Sequence, residues 1–514
     1  MAHSYLMNRR AFLLGAAGAA VTSLAPLPWA RALAASPISL TAGRRTLEVK
    51  GRAASVFGIA QPDGVSGVNL DPGARFRVDF LNKSGEKTII HWHGQKPPYL
   101  QDGFPDKNRP LIEDGALKSY DYVATPGTHW MHSHQGLQEQ AFMAAPLVVR
   151  TAEDVKADVQ EVTIILHDFT FRDPAEILAG LTGGAASGMA GMAGMEKKGE
   201  AAGAAMKMDA PMAPMADSAM TMAMPSDGAK PVQMPKDSGK IMPANDLNDV
   251  EYDAFLANDR TLDDPLVVRV ERNGRVRLRI INAGASTAFW IDLGGANATL
   301  VAVDGNGVVP VPGTRFPMSM AQRLDLMVDV PAGGVVPVFA QVEGKTERTG
   351  IILASPGAQI EKIADLAAAA APPLDLSLEM QLRATEPLAD RPADQVVSLA
   401  LTGSMEKYVW SLNDKTWPNV DRPVVRKGQR IVIEIKNRTM MAHPMHLHGH
   451  AFQVIALNGT SLKGALRDTA LVPPDASVSI AFDADNPGRW PIHCHNLYHM
   501  ETGMITEVVY DTFV

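Results

Sequence analysis

The chain has 514 residues, 46% of them hydrophobic and 20% charged, with a net charge of -8. That length suits about two to four domains with cores of their own, and the spread negative balance excludes nucleic acid as an expected partner. One cysteine, Cys494, excludes an internal disulfide framework and leaves a buried spectator, a nucleophile or a metal ligand.

Residues 1–35 read as an export signal. Arg9 and Arg10 precede Phe12, Leu13 and Leu14 and an apolar Ala/Gly-rich run, which ends in small-x-small cleavage options at Ala30-Arg31-Ala32 or Ala32-Leu33-Ala34. The arginine pair predicts a twin-arginine-type signal for a folded, cofactor-loaded protein; an ordinary basic n-region is the alternative. Both predict an exported protein, periplasmic in a two-membrane bacterium. No later run is apolar and long enough to anchor it in a membrane.

One pattern then recurs three times: GARFRVDFLNKSGEKTIIHWHG at 73–94, GRVRLRIINAGASTAFWIDLGG at 274–295 and GQRIVIEIKNRTMMAHPMHLHG at 428–449. Each copy opens on Gly, alternates polar and apolar residues as a half-buried strand does, and reaches Asn82, Asn282 or Asn437. Nine residues on, the outer copies have His91 and His446, and two further His93 and His448, where the middle copy has Ile291 and Leu293. Gly94, Gly294 and Gly449 follow. A second element repeats only in the outer copies: PGTHWMHSH ends at His134 and PGRWPIHCH at His495.

The expectation is an all-β protein of three related domains, at 36–150, 155–355 and 391–514, with 356–390 as a linker. Short β-branched runs between Gly, Pro and Asn turns support it. In a strand, residues i and i+2 share a face, so each His-x-His presents two imidazoles together. One such pair is a weak signal, because a solvent face explains it equally. Four in matched positions point to a metal, and ten of the 14 histidines fall in these motifs and their extensions. His129, His167 and His450 are left as structural or supporting residues.

Cys494 lies between His493 and His495 and faces away from them. A thiolate, two imidazoles and a thioether form the ligand set of a blue-copper electron-transfer centre, with the flanking histidines on a second metal centre. The thiol then both binds copper and starts an electron path.

These motifs, together with His443, His499 and Met504, resemble the four copper motifs of three-domain multicopper oxidases, over nearly the whole chain after the signal. The resemblance implies three cupredoxin-like Greek-key β-sandwich domains and four coppers. His443, Cys494, His499 and Met504 would hold the type 1 copper, and His91 and His446 the type 2 copper. His93, His132, His134, His448, His493 and His495 would hold the type 3 pair. Electrons collected singly would reduce O2 to water. Asp102, in QDGFP, resembles the acid that supplies protons near the cluster. The position after the type 1 histidine, a Glu in some relatives, is Met500 here, which leaves Glu501 as the substitute. HSHQGLQEQ and HCHNLYHMETGM look closest to bacterial copper-resistance oxidases.

Residues 183–245 interrupt the β pattern with a low-complexity insert, expected to be disordered, whose methionines are Met189, Met192, Met195, Met206, Met208, Met212, Met215, Met220, Met222 and Met224. Thioethers select Cu(I), so these are expected copper-capturing residues, together with Met440 and Met441; a plain linker and ordinary packing are the respective alternatives. The leading reading is a monomeric cuprous oxidase that uses O2 and serves copper tolerance. A laccase acting on phenols or diamines is second, and a non-catalytic copper buffer is the reading from another class.

Overall fold

The computed structural model describes residues 36–183 and 247–514. The export signal and the insert methionines from Met189 to Met224 lie outside the described residues. The described strands form six sheets, in three pairs drawn from successive stretches of chain. Each pair closes over its own apolar core, and the third core contains Cys494 and Met504. The protein is mostly β and consists of cupredoxin-like domains.

The threefold sequence pattern has a structural counterpart. The repeat strand lies parallel to the first strand of its own domain each time: Arg75–Lys83 beside Ile38–Val49, Arg275–Asn282 beside Gln160–Phe169, Arg430–Asn437 beside Gln395–Ser404. The shared asparagines are buried and do the same work. Each side-chain oxygen accepts the N–H two residues on (Ser84 at 3.0 Å, Gly284 at 3.0 Å, Thr439 at 2.9 Å). Each amide nitrogen donates to loop carbonyls, such as Ile112, Thr287 and Val472, all at 2.9 Å. The side chain thus ends the strand and pins the turn. Gly94 and Gly449 have φ of +84° and +68°, and a Cβ there would come within 2.3 Å of His129 Nδ1 and 2.4 Å of the Trp490 ring.

Antiparallel ladders then set histidines opposite one another. Ile90–His93 pairs with Gly127–Ser133 so that His91 faces His132; His443–Leu447 pairs with Arg489–Cys494 so that His446 faces His493 and Met445 faces Cys494. The short helix Leu497–Glu501 carries His499, with Asn496 accepting at its N-cap from Tyr498 N–H at 3.1 Å and His499 N–H at 3.4 Å. The 356–390 stretch holds one five-residue helix, Ser377–Gln381, whose Glu379 pairs with Arg467 at 2.7 Å.

The middle domain, which lacks the histidines, still reaches the site. Arg323, fully buried, donates from Nη1 to Asp468 Oδ1 at 2.7 Å, from Nη2 to Asp468 Oδ2, and from Nε to the Thr128 carbonyl at 3.1 Å. It therefore joins all three domains. Arg323→Met should strand the Asp468 charge and destabilise the fold by about 3–5 kcal/mol. Thermal and urea unfolding of the metal-free variant check this; a loss under about 1 kcal/mol would show that the network carries little of the interdomain stability.

Candidate metal centre

The Nδ1 atoms of His443 and His499 lie 3.1 Å apart, and Cys494 Sγ lies 3.6 and 3.7 Å from them. All three residues are buried. Burial pushes the Cys494 thiol far above its ordinary value, so without a cation it stays protonated. Asn496 N–H points at the sulfur from 3.4 Å, where it would stabilise a thiolate. Met504 is buried in the same apolar core, and its carbonyl accepts the Cys494 N–H at 3.0 Å. The other nitrogen of each imidazole is covered: His443 Nε2 lies 2.7 Å from Thr439 Oγ1, and His499 Nε2 lies 3.0 Å from Asp249 Oδ2. Burial opposes the Asp249 charge, but His499 and its hydrogen-bonding neighbours outweigh it and hold the carboxyl below its usual range.

Eight further histidines meet between the first and third domains. Three groups have ligand atoms within 4.8 Å of one another: His91, His93 and His446; His93, His132 and His495; His134, His448 and His493. His91 Nε2 lies 3.4 Å from His446 Nε2, and His448 Nε2 lies 3.0 Å from His493 Nε2. Burial first, and mutual crowding second, hold His93, His132, His134, His446, His448 and His495 well below the ordinary imidazole range. Burial lowers His493 to about 3. These rings are neutral near pH 7, as metal ligation requires.

The donors fit copper. His93 Nδ1, His132 Nε2, both nitrogens of His134 and His495 Nε2 are buried without a protein partner, which is costly unless a metal fills the space they face. Imidazoles around a buried cysteine, with Met504 in the same core, suit copper rather than a hard cation.

Carboxylates surround the histidines. Asp102 spans two groups, with Oδ1 3.1 Å from His91 Nδ1 and Oδ2 3.0 Å from His448 Nδ1, and it accepts from Arg109 at 3.1 Å. Burial alone would raise its pKa, but His91 and the Arg109 guanidinium hold it below the usual carboxylate range. Asp468 Oδ1 lies 3.1 Å from His93 Nε2, and its carbonyl lies 2.8 Å from His446 Nδ1. Glu139 Oε2 lies 2.7 Å from His132 Nδ1. Glu501 makes no hydrogen bond or ion pair with a ligand residue: it is buried, raised to about 7 by burial and then by neighbouring Glu139, itself pushed up by burial, and lines a cleft of about 1230 Å3 beside Gln138 and Gln140.

The structure thus brings together all ten motif histidines, Cys494 and Asp102. His129, His167 and His450 stand outside the groups. Met440 is exposed, whereas Met441 is buried in the third core. Asp249, Thr439, Glu139, Arg323 and Asp468 were missed from the sequence. No spacing marks them, although Glu139 within HSHQGLQEQ and Thr439 within GQRIVIEIKNRTMMAHPMHLHG stand inside recognised motifs.

Residues 43–154, 220–353 and 390–513 each match a family profile described as multicopper oxidase. Multicopper oxidase MmcO of Mycobacterium tuberculosis is 31% identical over 452 residues, which span 85% of this chain and 80% of that one. A copper resistance protein A homolog of Pseudomonas syringae pv. tomato is 26% identical over 611 residues, covering 98% of both chains. The solved CueO, a laccase-like multicopper oxidase of Ochrobactrum sp. with oxidase activity towards lignin model compounds, has the same fold. It superposes with a TM-score of 0.65 at 18% identity, covering 93% of this chain and 97% of that one. With the histidine groups and the buried thiol beside these likenesses, the chain belongs to the multicopper oxidases, copper-dependent oxidoreductases.

Proposed function

We propose that this oxidase draws its electrons from Cu(I) and serves copper tolerance. In this reading His443, Cys494, His499 and Met504 hold the type 1 copper, and His91 and His446 the type 2 copper. His93, His132 and His495 hold one type 3 copper, and His134, His448 and His493 the other. Bound copper supplies the redox chemistry, in which four single electrons reduce one O2 to two waters.

The chain's own residues make that chemistry orderly. Cys494 shares peptide bonds with His493 and His495, which belong to different groups, so the thiolate is covalently wired to both. Asp102, buried and ionised between His91 and His448, is placed to pass protons to the site where O2 is reduced. Glu501 lies between the cleft and Glu139, and so marks a second route for protons toward His132. The insert carrying Met189 to Met224 would collect Cu(I). Arg9 and Arg10 would direct export; among the described residues no helix is long and apolar enough to cross a membrane.

The observation that carries the Cu(I) reading is the cover over the type 1 imidazoles. Thr439 and Asp249 occupy their outer nitrogens, and both rings are fully buried, which leaves no exposed edge for a phenol ring to touch. Exposed thioethers flank this cover: Met440 on the turn before His443, and Met405 on the turn before Tyr408, whose ring lies 6.1 Å from His499. The likeness to copper resistance protein A points the same way. Met405→Leu with Met440→Leu should raise KM for Cu(I) about tenfold, or about 1.4 kcal/mol, and leave phenol turnover unchanged. Unchanged Cu(I) kinetics in the double variant, and after removal of 183–245, would refute this substrate assignment. A laccase acting on phenols or diamines is the second reading, favoured by the lignin-model activity of the Ochrobactrum relative.

A further inference from the structure

The stretch HSHQGLQEQ follows its histidine pair with three buried polar residues, Gln138, Glu139 and Gln140. The ligand assignment gives them no part. Gln138 Oε1 accepts from Thr88 Oγ1 and from Ser133 Oγ, each at 2.7 Å, and its Nε2 donates to the Lys87 carbonyl at 2.9 Å. Gln140 Oε1 accepts from the Tyr252 hydroxyl at 2.8 Å and the Tyr498 hydroxyl at 3.1 Å, while its Nε2 donates to the Asp168 carbonyl at 3.1 Å. The turn is therefore fastened on one side to the serine between His132 and His134. On the other it is fastened to the middle domain and to the residue before His499. It closes on Phe142 at φ +69°, a left-handed backbone for a bulky residue that persists only where the surroundings impose it.

Glu139 is the residue these anchors hold in place. Its Oε2 lies 2.7 Å from His132 Nδ1 and its Oε1 lies 3.8 Å from His495 Nδ1. The third member of that group, His93, has Nε2 3.1 Å from Asp468 Oδ1. Two of the three outward nitrogens of the His93–His132–His495 group thus lie within hydrogen-bond distance of carboxylate oxygens; His132 Nδ1 also lies 3.3 Å from the Ser133 carbonyl, and His495 Nδ1 faces Glu139 across the longer gap. The His134–His448–His493 group is built differently. His448 faces Asp102 at 3.0 Å, His493 Nδ1 faces only the Cys494 carbonyl at 2.9 Å, and His134 has no protein partner on either nitrogen.

A carboxylate that accepts the outer N–H fixes the tautomer, points the other nitrogen at the metal and raises its basicity. A neutral carbonyl does this weakly, and an unpartnered ring must be ordered by the metal itself. We infer that the two three-histidine groups are inequivalent copper sites, with Glu139 as the positioning residue that makes His93–His132–His495 the tighter of the two. This rests on the ligand assignment proposed above.

The test is copper retention. Copper-loaded wild type, E139Q and E139A are dialysed against graded EDTA, and copper per chain and the blue absorbance are measured. Crystals of partly depleted protein are then read by copper anomalous scattering. In the wild type, copper should persist at His93–His132–His495 after it has left His134–His448–His493. In E139A that order should reverse, with copper leaving the first group at about 10- to 100-fold lower EDTA and the blue band intact. E139Q, which keeps an acceptor of the same shape, should lie between them and serves if E139A does not fold. Equal retention at both groups in the wild type, E139A that matches the wild type, or E139A that loses blue copper in step with the rest would overturn the inference. If the ligand assignment itself were at fault, the wild type would fail first, by binding fewer than four coppers or showing no blue band.

Discussion

Cys494→Ser will give a folded, colourless protein without oxidase activity. The substitution is nearly isosteric in a fully buried site, and the Asn496 N–H remains to satisfy the hydroxyl. Ser cannot replace the ligand, however: its hydroxyl is a hard oxygen that stays protonated, while the site offers two imidazoles whose Nδ1 atoms already stand 3.1 Å apart and awaits a soft, charged donor. The covalent link to His493 and His495 would persist in the variant, but nothing would feed it. Circular dichroism should match the wild type, the visible thiolate-to-copper band should vanish, and O2 uptake should fall to background. Turnover retained in a colourless variant would mean that electrons reach the trinuclear site by another route.

Asp102→Asn is the second large effect. The buried carboxylate touches His91 and His448 at 3.1 and 3.0 Å, and so contacts two of the histidine groups at once. Asn keeps the shape and an acceptor but removes the charge and the ability to carry a proton. Arg109 retains Asp106 as a partner at 2.9 Å, so the fold should survive. O2 reduction should slow by at least about 10²-fold, the lower end of what general acid–base groups supply. Anaerobic reduction of the blue copper should proceed at the wild-type rate. Stopped-flow reoxidation of the fully reduced variant separates the two steps. An equal slowing of both would make Asp102 a scaffold residue rather than a proton donor.

The ligands were legible because each motif is local. His-x-His on a strand, Asn nine residues before the first histidine, and Pro-Gly six residues before the second pair are short-range patterns that backbone geometry repeats. Most of the residues that support the ligands were not legible because their partners are far away in the chain; Thr439, four residues before His443, and Glu139, seven after His132, are near but carry no spacing signal of their own. Asp468 meets His93 across 375 positions, and Asp249 comes within 3.0 Å of His499 from beyond the insert. One more Asp or Glu among 56 acidic residues carries no spacing signal. Glu501 shows how a helix separates sequence neighbours. It lies two residues after His499 on the helix Leu497–Glu501, and two helical positions turn a side chain by about 200°, here away from the copper ligands and toward the cleft. Met440 and Met441 show the same at a turn: adjacent in sequence, one is exposed and the other packs into the third core.

The most direct test of the cuprous-oxidase account is oxygen uptake by the copper-loaded protein, offered Cu(I) or a simple phenol in separate runs, with peroxide assayed alongside. The account predicts rapid uptake with Cu(I), one O2 consumed for every four Cu(I) and no peroxide released, and slow uptake with the phenol. Faster turnover of the phenol than of Cu(I) would contradict it and make the protein a laccase.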